Sequence, residues 1–145
     1  MIIALARALL FGTASALSAA PAPSATSAAP AAAATSFVAR VLRGRLIEAA
    51  STGPAYQKIL WAQLDGPTTT ALTACIKRNA PADKSPFTLV ADVHHDGTPS
   101  AVVVQPATPV ATCLAAWFRT TTLPPPPSLP DTSTYPLEID VTITP

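Results

Sequence analysis

Two cysteines constrain this chain more than any other feature. Cys75 lies in the helical pattern Ala71-Leu72-Thr73-Ala74-Cys75-Ile76, and Cys113 in a second one, Val110-Ala111-Thr112-Cys113-Leu114. A strand–turn–strand pattern separates them, so a Cys75–Cys113 bond would staple two helices across a hairpin. Outside the cytoplasm an even cysteine count reads as disulfide-bonded. Closing a loop of this length stabilises by about 4 kcal/mol on the chain-entropy estimate, a large share of a small domain's total. The pair thus implies a compartment and a fold type, and no activity.

The 145 residues suffice for one domain with appendages. Met1 to Ala20 hold a single charge, Arg7, in an apolar, small-residue run ending Ser15-Ala16-Leu17-Ser18-Ala19-Ala20. That texture predicts a cleaved secretory signal peptide over 1–20. The rival is an uncleaved anchor, but a bilayer asks for about twenty strongly apolar residues, and Arg7, Gly12, Thr13, Ser15 and Ser18 interrupt this run. With the leader removed, Lys plus Arg falls from 9 to 8 against 8 Asp plus Glu. A neutral chain gives no electrostatic reason to expect nucleic acid or anionic lipid as a partner.

Pro21 to Thr35 is Ala, Pro, Ser and Thr, and reads as a disordered linker over 21–35. A helical segment follows over 36–69. Phe37, Val38, Val41, Leu42 and Leu46 fall near helical spacing, with Ser36 as N-cap and Arg40, Arg43 and Arg45 as a solvated face. Tyr56, Ile59, Leu60 and Leu64 mark a second helix face, which Gly66-Pro67 is expected to end. A further helix from Thr68 to Asn79 stops at Ala80-Pro81.

Phe87, Leu89, Ala91 and Val93 alternate with Thr88, Val90 and Asp92, which predicts a strand with one apolar face. Asp96-Gly97 signals a two-residue turn, and Ala101 to Gln105 is the return strand. Thr108 caps a helix and Pro109 takes its first position. Val110, Cys113, Leu114, Trp117 and Phe118 form its apolar stripe, so both aromatics are expected in the core. After Leu123-Pro124-Pro125-Pro126-Pro127 comes a last strand. There Tyr135, Leu137, Ile139, Val141 and Ile143 alternate with Pro136, Glu138, Asp140, Thr142 and Thr144, giving one buried and one wet face. The expected fold is α+β: a three-stranded mixed sheet (antiparallel hairpin plus C-terminal strand) with a right-handed crossover helix, preceded by two or three helices, with one disulfide. The last strand should lie beyond the first, parallel to the second.

This order of elements resembles the TonB C-terminal-like domains. The residues concerned are Phe87–Val93, the Asp96-Gly97 turn, Ala101–Val104, the Cys113-Leu114-Ala115-Ala116-Trp117-Phe118 helix, the prolines of Leu123–Pro127 and the alternating strand. The nearest branch is the AgmX/PglI C-terminal type, which also places one cysteine before the first strand and one in the helix after the second. The resemblance covers residues 70–145 and implies an envelope protein that pairs or docks. A working TonB energy transducer carries a His in its anchor and a spacer long enough to cross the periplasm; residues 1–36 contain no His, and 21–35 is short.

Catalytic chemistry has little to stand on. His94-His95-Asp96, with Asp92, is the one cluster of metal-binding residue types. Neighbouring strand residues point to opposite faces, however, so the two imidazoles do not converge. No Gly-x-Ser-x-Gly elbow occurs, and five glycines leave no phosphate cradle. The expectation is a non-enzymatic module with no catalytic residue, metal or cofactor, and no stable membrane span once the leader is cleaved. It would be periplasmic or secreted and bind an unidentified protein of the bacterial envelope. The candidate site is the C-terminal strand, Leu137, Ile139, Val141 and Ile143, whose free edge would accept an extended segment. A membrane-tethered transducer and a secreted effector or inhibitor are the alternatives.

Overall fold

The computed structural model describes residues 29–130 and 132–144, with side chains from Ser36 onward; the expected signal peptide and the start of the linker lie outside this range. Three helices and three strands follow in the order α1 (Ala29–Glu48), α2 (Gly53–Arg78), β1 (Phe87–His94), β2 (Pro99–Gln105), α3 (Pro109–Phe118) and β3 (Thr134–Val141). Among the described residues no helix is long and apolar enough to cross a membrane.

The strand order is β2-β1-β3. Both ladders are antiparallel, so β3 runs parallel to β2 with β1 between them, and no parallel ladder forms. Phe87, Leu89, Ala91 and Val93 point to one face, as their alternation predicts, and meet Leu114, Ala115 and Phe118 of α3 and Tyr56, Leu60 and Leu64 of α2. The Thr108 side chain caps α3 by accepting from the Ala111 N–H, with Pro109 at the first position. Cys75 and Cys113 are bonded, their Cα atoms 5.7 Å apart, which clasps α2 to α3 behind the sheet. Leu123 and Pro124 then cross under the hairpin: the Leu123 N–H donates to the Gly97 carbonyl, and the Tyr56 hydroxyl donates to the Pro124 carbonyl.

Four expectations are corrected. Helix α1 starts at Ala29, so the second half of the presumed linker is helical and Ser36 lies inside the helix rather than capping it. Alanine's high helix propensity and Pro30 in the first turn account for this. Helix α2 runs unbroken through Pro67, which makes two preceding helices rather than three. The hairpin turn has three loop residues, not two. The Gly97 N–H donates to the His94 carbonyl and the His94 N–H to the Thr98 carbonyl, so only Gly97 takes a positive φ, 84°. This is a turn closed by a left-handed glycine rather than a primed two-residue turn.

The fourth correction concerns the face expected to be wet. Thr88, Val90 and Asp92 share it with Asp140, Glu138 and Pro136 across the β1–β3 register, and α1 covers it. Phe37 and Gly44 are buried there, Val90 is 1% exposed, and Glu138 is 9% exposed. The molecule therefore has three layers: α1, the sheet, and the α2–α3 pair. The stripe expected to bury α1 is split: Phe37 is buried and Val41 partly so, whereas Val38, Leu42 and Leu46 are turned outward at 54%, 56% and 73% exposure. A polar sheet face selects the helix side that carries Gly44 and two arginines. Of the aromatics, Phe118 is buried, Trp117 is only partly so, and Trp61 is exposed.

Candidate functional site

β3 is an edge strand. Its main chain pairs with β1 from Thr134 to Val141, and among the described residues no other backbone bonds to its outer side. The candidate side chains do not line that edge. Leu137, Ile139 and Val141 are buried in the core, and Ile143, just beyond the strand, is packed against it. What the edge offers is a row of peptide N–H and C=O groups, minus the N–H of Pro136, on a strand whose side chains are fixed from below.

The opposite edge is built differently. β2 begins at Pro99 and is followed by Pro106. Its register to β1 shifts between Val90 and Asp92, opposite Ala101 and Val102. Ala101 adopts a positive φ of 48° at this bulge. The Val102 carbonyl, which has no partner in the ladder, accepts from Arg119 Nη2 at 2.7 Å. Bulges, prolines and charged side chains are the usual devices that close an edge to pairing. No sequence signal singles out Arg119 or Ala101 for this role, since the long-range contact and the register are tertiary properties.

Charges over β3 sit on its α1-facing side. Arg45 Nη2 of α1 donates to Glu138 Oε1 at 3.2 Å and to Asp140 Oδ2 at 2.9 Å, and the Thr88 hydroxyl donates to Asp140 Oδ1 at 2.6 Å. Burial raises the Glu138 pKa above the usual glutamate value, against the opposing pull of Arg45. The Thr88 hydrogen bond, foremost, lowers that of Asp140. Arg40 forms a second latch to Asp92 at 3.2 Å. The expected solvated arginine face is thus two paired arginines plus exposed Arg43. Nearer the strand's start, the Tyr135 ring meets Tyr56 edge-on, centroids 4.9 Å apart, and the Tyr135 hydroxyl is buried without a partner among the described residues. Burial pushes the Tyr56 phenol up to about 12.

His94 and His95 sit at the end of β1 and in the turn, both exposed, while Asp92 is engaged by Arg40. Among the described residues no three His, Cys, Asp or Glu side chains gather around a common point. Asp96 accepts from the Thr98 N–H and hydroxyl, which lowers its pKa and organises the turn. Compared with family models, curated proteins and solved structures, the chain has no match in any of the three.

Proposed function

We propose that this chain is a non-enzymatic binding or assembly module of the bacterial envelope that takes an extended partner segment onto the free edge of β3. The observation that carries the reading is the asymmetry of the sheet. One edge is closed by a bulge, flanking prolines and Arg119, while on β3 the outward main-chain groups of Glu138 and Asp140 and the Pro136 carbonyl have no backbone partner among the described residues. Strand addition needs such an edge and little else, because main-chain hydrogen bonds supply most of the affinity. The Cys75–Cys113 bond supports export, since structural disulfides persist in oxidising compartments. The resemblance of residues 70–145 to TonB C-terminal-like domains supports docking as the style of action.

Photo-crosslinking tests this reading. A crosslinker placed at exposed Thr142, beside the β3 edge, should form protein adducts in envelope extract. One at Thr120, after α3, should not. Asp140→Pro removes an outward-facing edge donor and should abolish the Thr142 adducts while near-UV circular dichroism stays native, whereas Asp140→Ala, which keeps the N–H, should retain them. Unchanged adducts from folded Asp140→Pro protein would refute strand addition. If that variant fails to fold, Thr142→Pro takes its place at the exposed end of the edge, with the crosslinker moved to exposed Thr144.

A further inference from the structure

A cleft lies away from β3, between α2 and α3, alongside the disulfide. Its volume is about 890 Å³, within the range of small-molecule sites. From Pro67 to Asn79 the cleft follows one face of α2, a run of about 18 Å at the helical rise. Ala71 and Ala74 of α2 and Ala116 of α3 keep the floor low, Cys75 and Cys113 cross it, and the partly buried Trp117 forms a wall.

The polar groups of this lining indicate what it can hold. The Thr70 hydroxyl is used by the Gly66 carbonyl, and Asn79 Nδ2 by the Cys75 carbonyl. Arg78, at the end of the cleft, has no ion-pair partner among the described residues and is the single charged group in the lining. A peptide would bring main-chain groups needing partners along the whole length, whereas between Thr70 and the Arg78–Asn79 end the lining is alanine and disulfide. A flat anionic membrane would not reach a concave floor. An apolar body with one anionic end matches both the walls and Arg78.

We propose that this cleft binds a single-chain carboxylate amphiphile, its hydrocarbon against the disulfide and Trp117 and its carboxylate on Arg78. This site is independent of the β3 edge and of the function proposed for it. Arg78 also interacts favourably with the negative end of the helix macrodipole in the last turn of α2, so the test must separate ligand contact from a structural role.

The probe is dodecanoate below its micellar concentration, titrated into the disulfide-intact protein. Trp117 fluorescence is read in a Trp61→Phe background, with stoichiometry from calorimetry. Saturable one-to-one binding is expected, with dodecan-1-ol at least tenfold weaker. Arg78→Gln should erase this preference for carboxylate over alcohol, which a purely structural role would not do, and Arg78→Lys should retain it. Ala74→Phe should fill the cleft and abolish binding; if it does not fold, Ala116→Leu serves on the facing helix. The proposal is overturned by absence of saturation, by equal affinity for the alcohol, or by unchanged binding in a folded cleft-filling variant. A Trp117 response confined to anionic vesicles, or to extended peptides, would also overturn it.

Discussion

A Cβ added to Gly44 would lie 2.7 Å from the Glu138 Cβ, so the close approach of α1 to β3 requires glycine at that turn of the helix. Alanine is the better helix former by about 1 kcal/mol, yet Gly44→Ala should destabilise by about 1–3 kcal/mol because packed layers must separate. Urea denaturation would measure this, and a gain in stability would mean that α1 lifts freely. Ala101 is the reverse case, a residue with a side chain at φ 48°, where glycine avoids a steric cost of about 1–2 kcal/mol. Ala101→Gly should therefore stabilise by about 0.5–1 kcal/mol after the extra unfolded-state entropy is allowed for; no gain would mean the bulge relaxes around alanine. The neighbouring carboxylates Glu138 and Asp140 act on stability with opposite signs. Burial raises Glu138 above 4.5, its ordinary value, so the stability linked to its proton is full below about that pH and is lost as pH rises through the raised value. Asp140 is lowered from 3.8; its contribution is present above that pH and is lost as pH falls through the lowered value. Glu138→Gln should remove the first effect; it also takes away a contact that helps lower Asp140, but that change acts below pH 4.5. Wild type should lose stability relative to this variant as pH rises from 4.5 towards neutrality, as read from denaturation midpoints. A constant difference across that range would refute the burial argument.

The elements differ in how legible they are. β1 and α3 could be read directly, because a single apolar face meets a single core and the caps Thr108 and Pro109 are local. Helix α2 misleads at Gly66-Pro67. A residue before proline is disfavoured in the helical region because the proline ring crowds its N–H and its Cβ; Gly66 lacks the Cβ and so escapes part of that clash, and the Thr70 hydroxyl adds a bond to the Gly66 carbonyl. That pair, read as a terminator, is therefore compatible with a continuous helix. Helix α1 misleads for another reason: its apolar stripe is real, but the face that docks carries Gly44, Arg40 and the stem of Arg45, which hydropathy cannot mark as a contact surface. For the candidate site, alternation alone identified β3 as a strand with its apolar side chains buried. That its edge stays open while that of β2 closes depends on Arg119 and the Ala101 bulge, which no local pattern signals. The α2–α3 clasp is the element-scale feature with a calculable effect. Its ends are 38 residues apart in sequence, for which chain entropy gives about 4 kcal/mol. The double variant Cys75→Ser, Cys113→Ser should lose about that much in urea denaturation, and reducing the wild type should cause the same loss. A loss below about 1 kcal/mol would mean that the unfolded chain is already compact without the bond.

At the scale of the whole molecule, the two helical layers are held by different forces. Behind the sheet, α2 and α3 bury leucines, valines and aromatics and share a covalent bond. In front of it, α1 rests on Phe37, on partly buried Val41 and Ile47, and on the arginine latches to Asp92, Glu138 and Asp140, several of whose side chains are half exposed. Ion pairs that reach solvent contribute little each and weaken with salt, whereas apolar burial does not. The front layer should therefore open without the rest. In native-state hydrogen exchange, α1 amides from Phe37 onward should be at least tenfold less protected than those of β1. Raising ionic strength to 1 M, where the screening length falls to about 3 Å, should widen that gap as the latches loosen and leave β1 unchanged. Equal protection of α1 and β1, insensitive to salt, would instead show that the three layers unfold as one cooperative unit and that packing of Phe37 and Gly44 alone secures the helix.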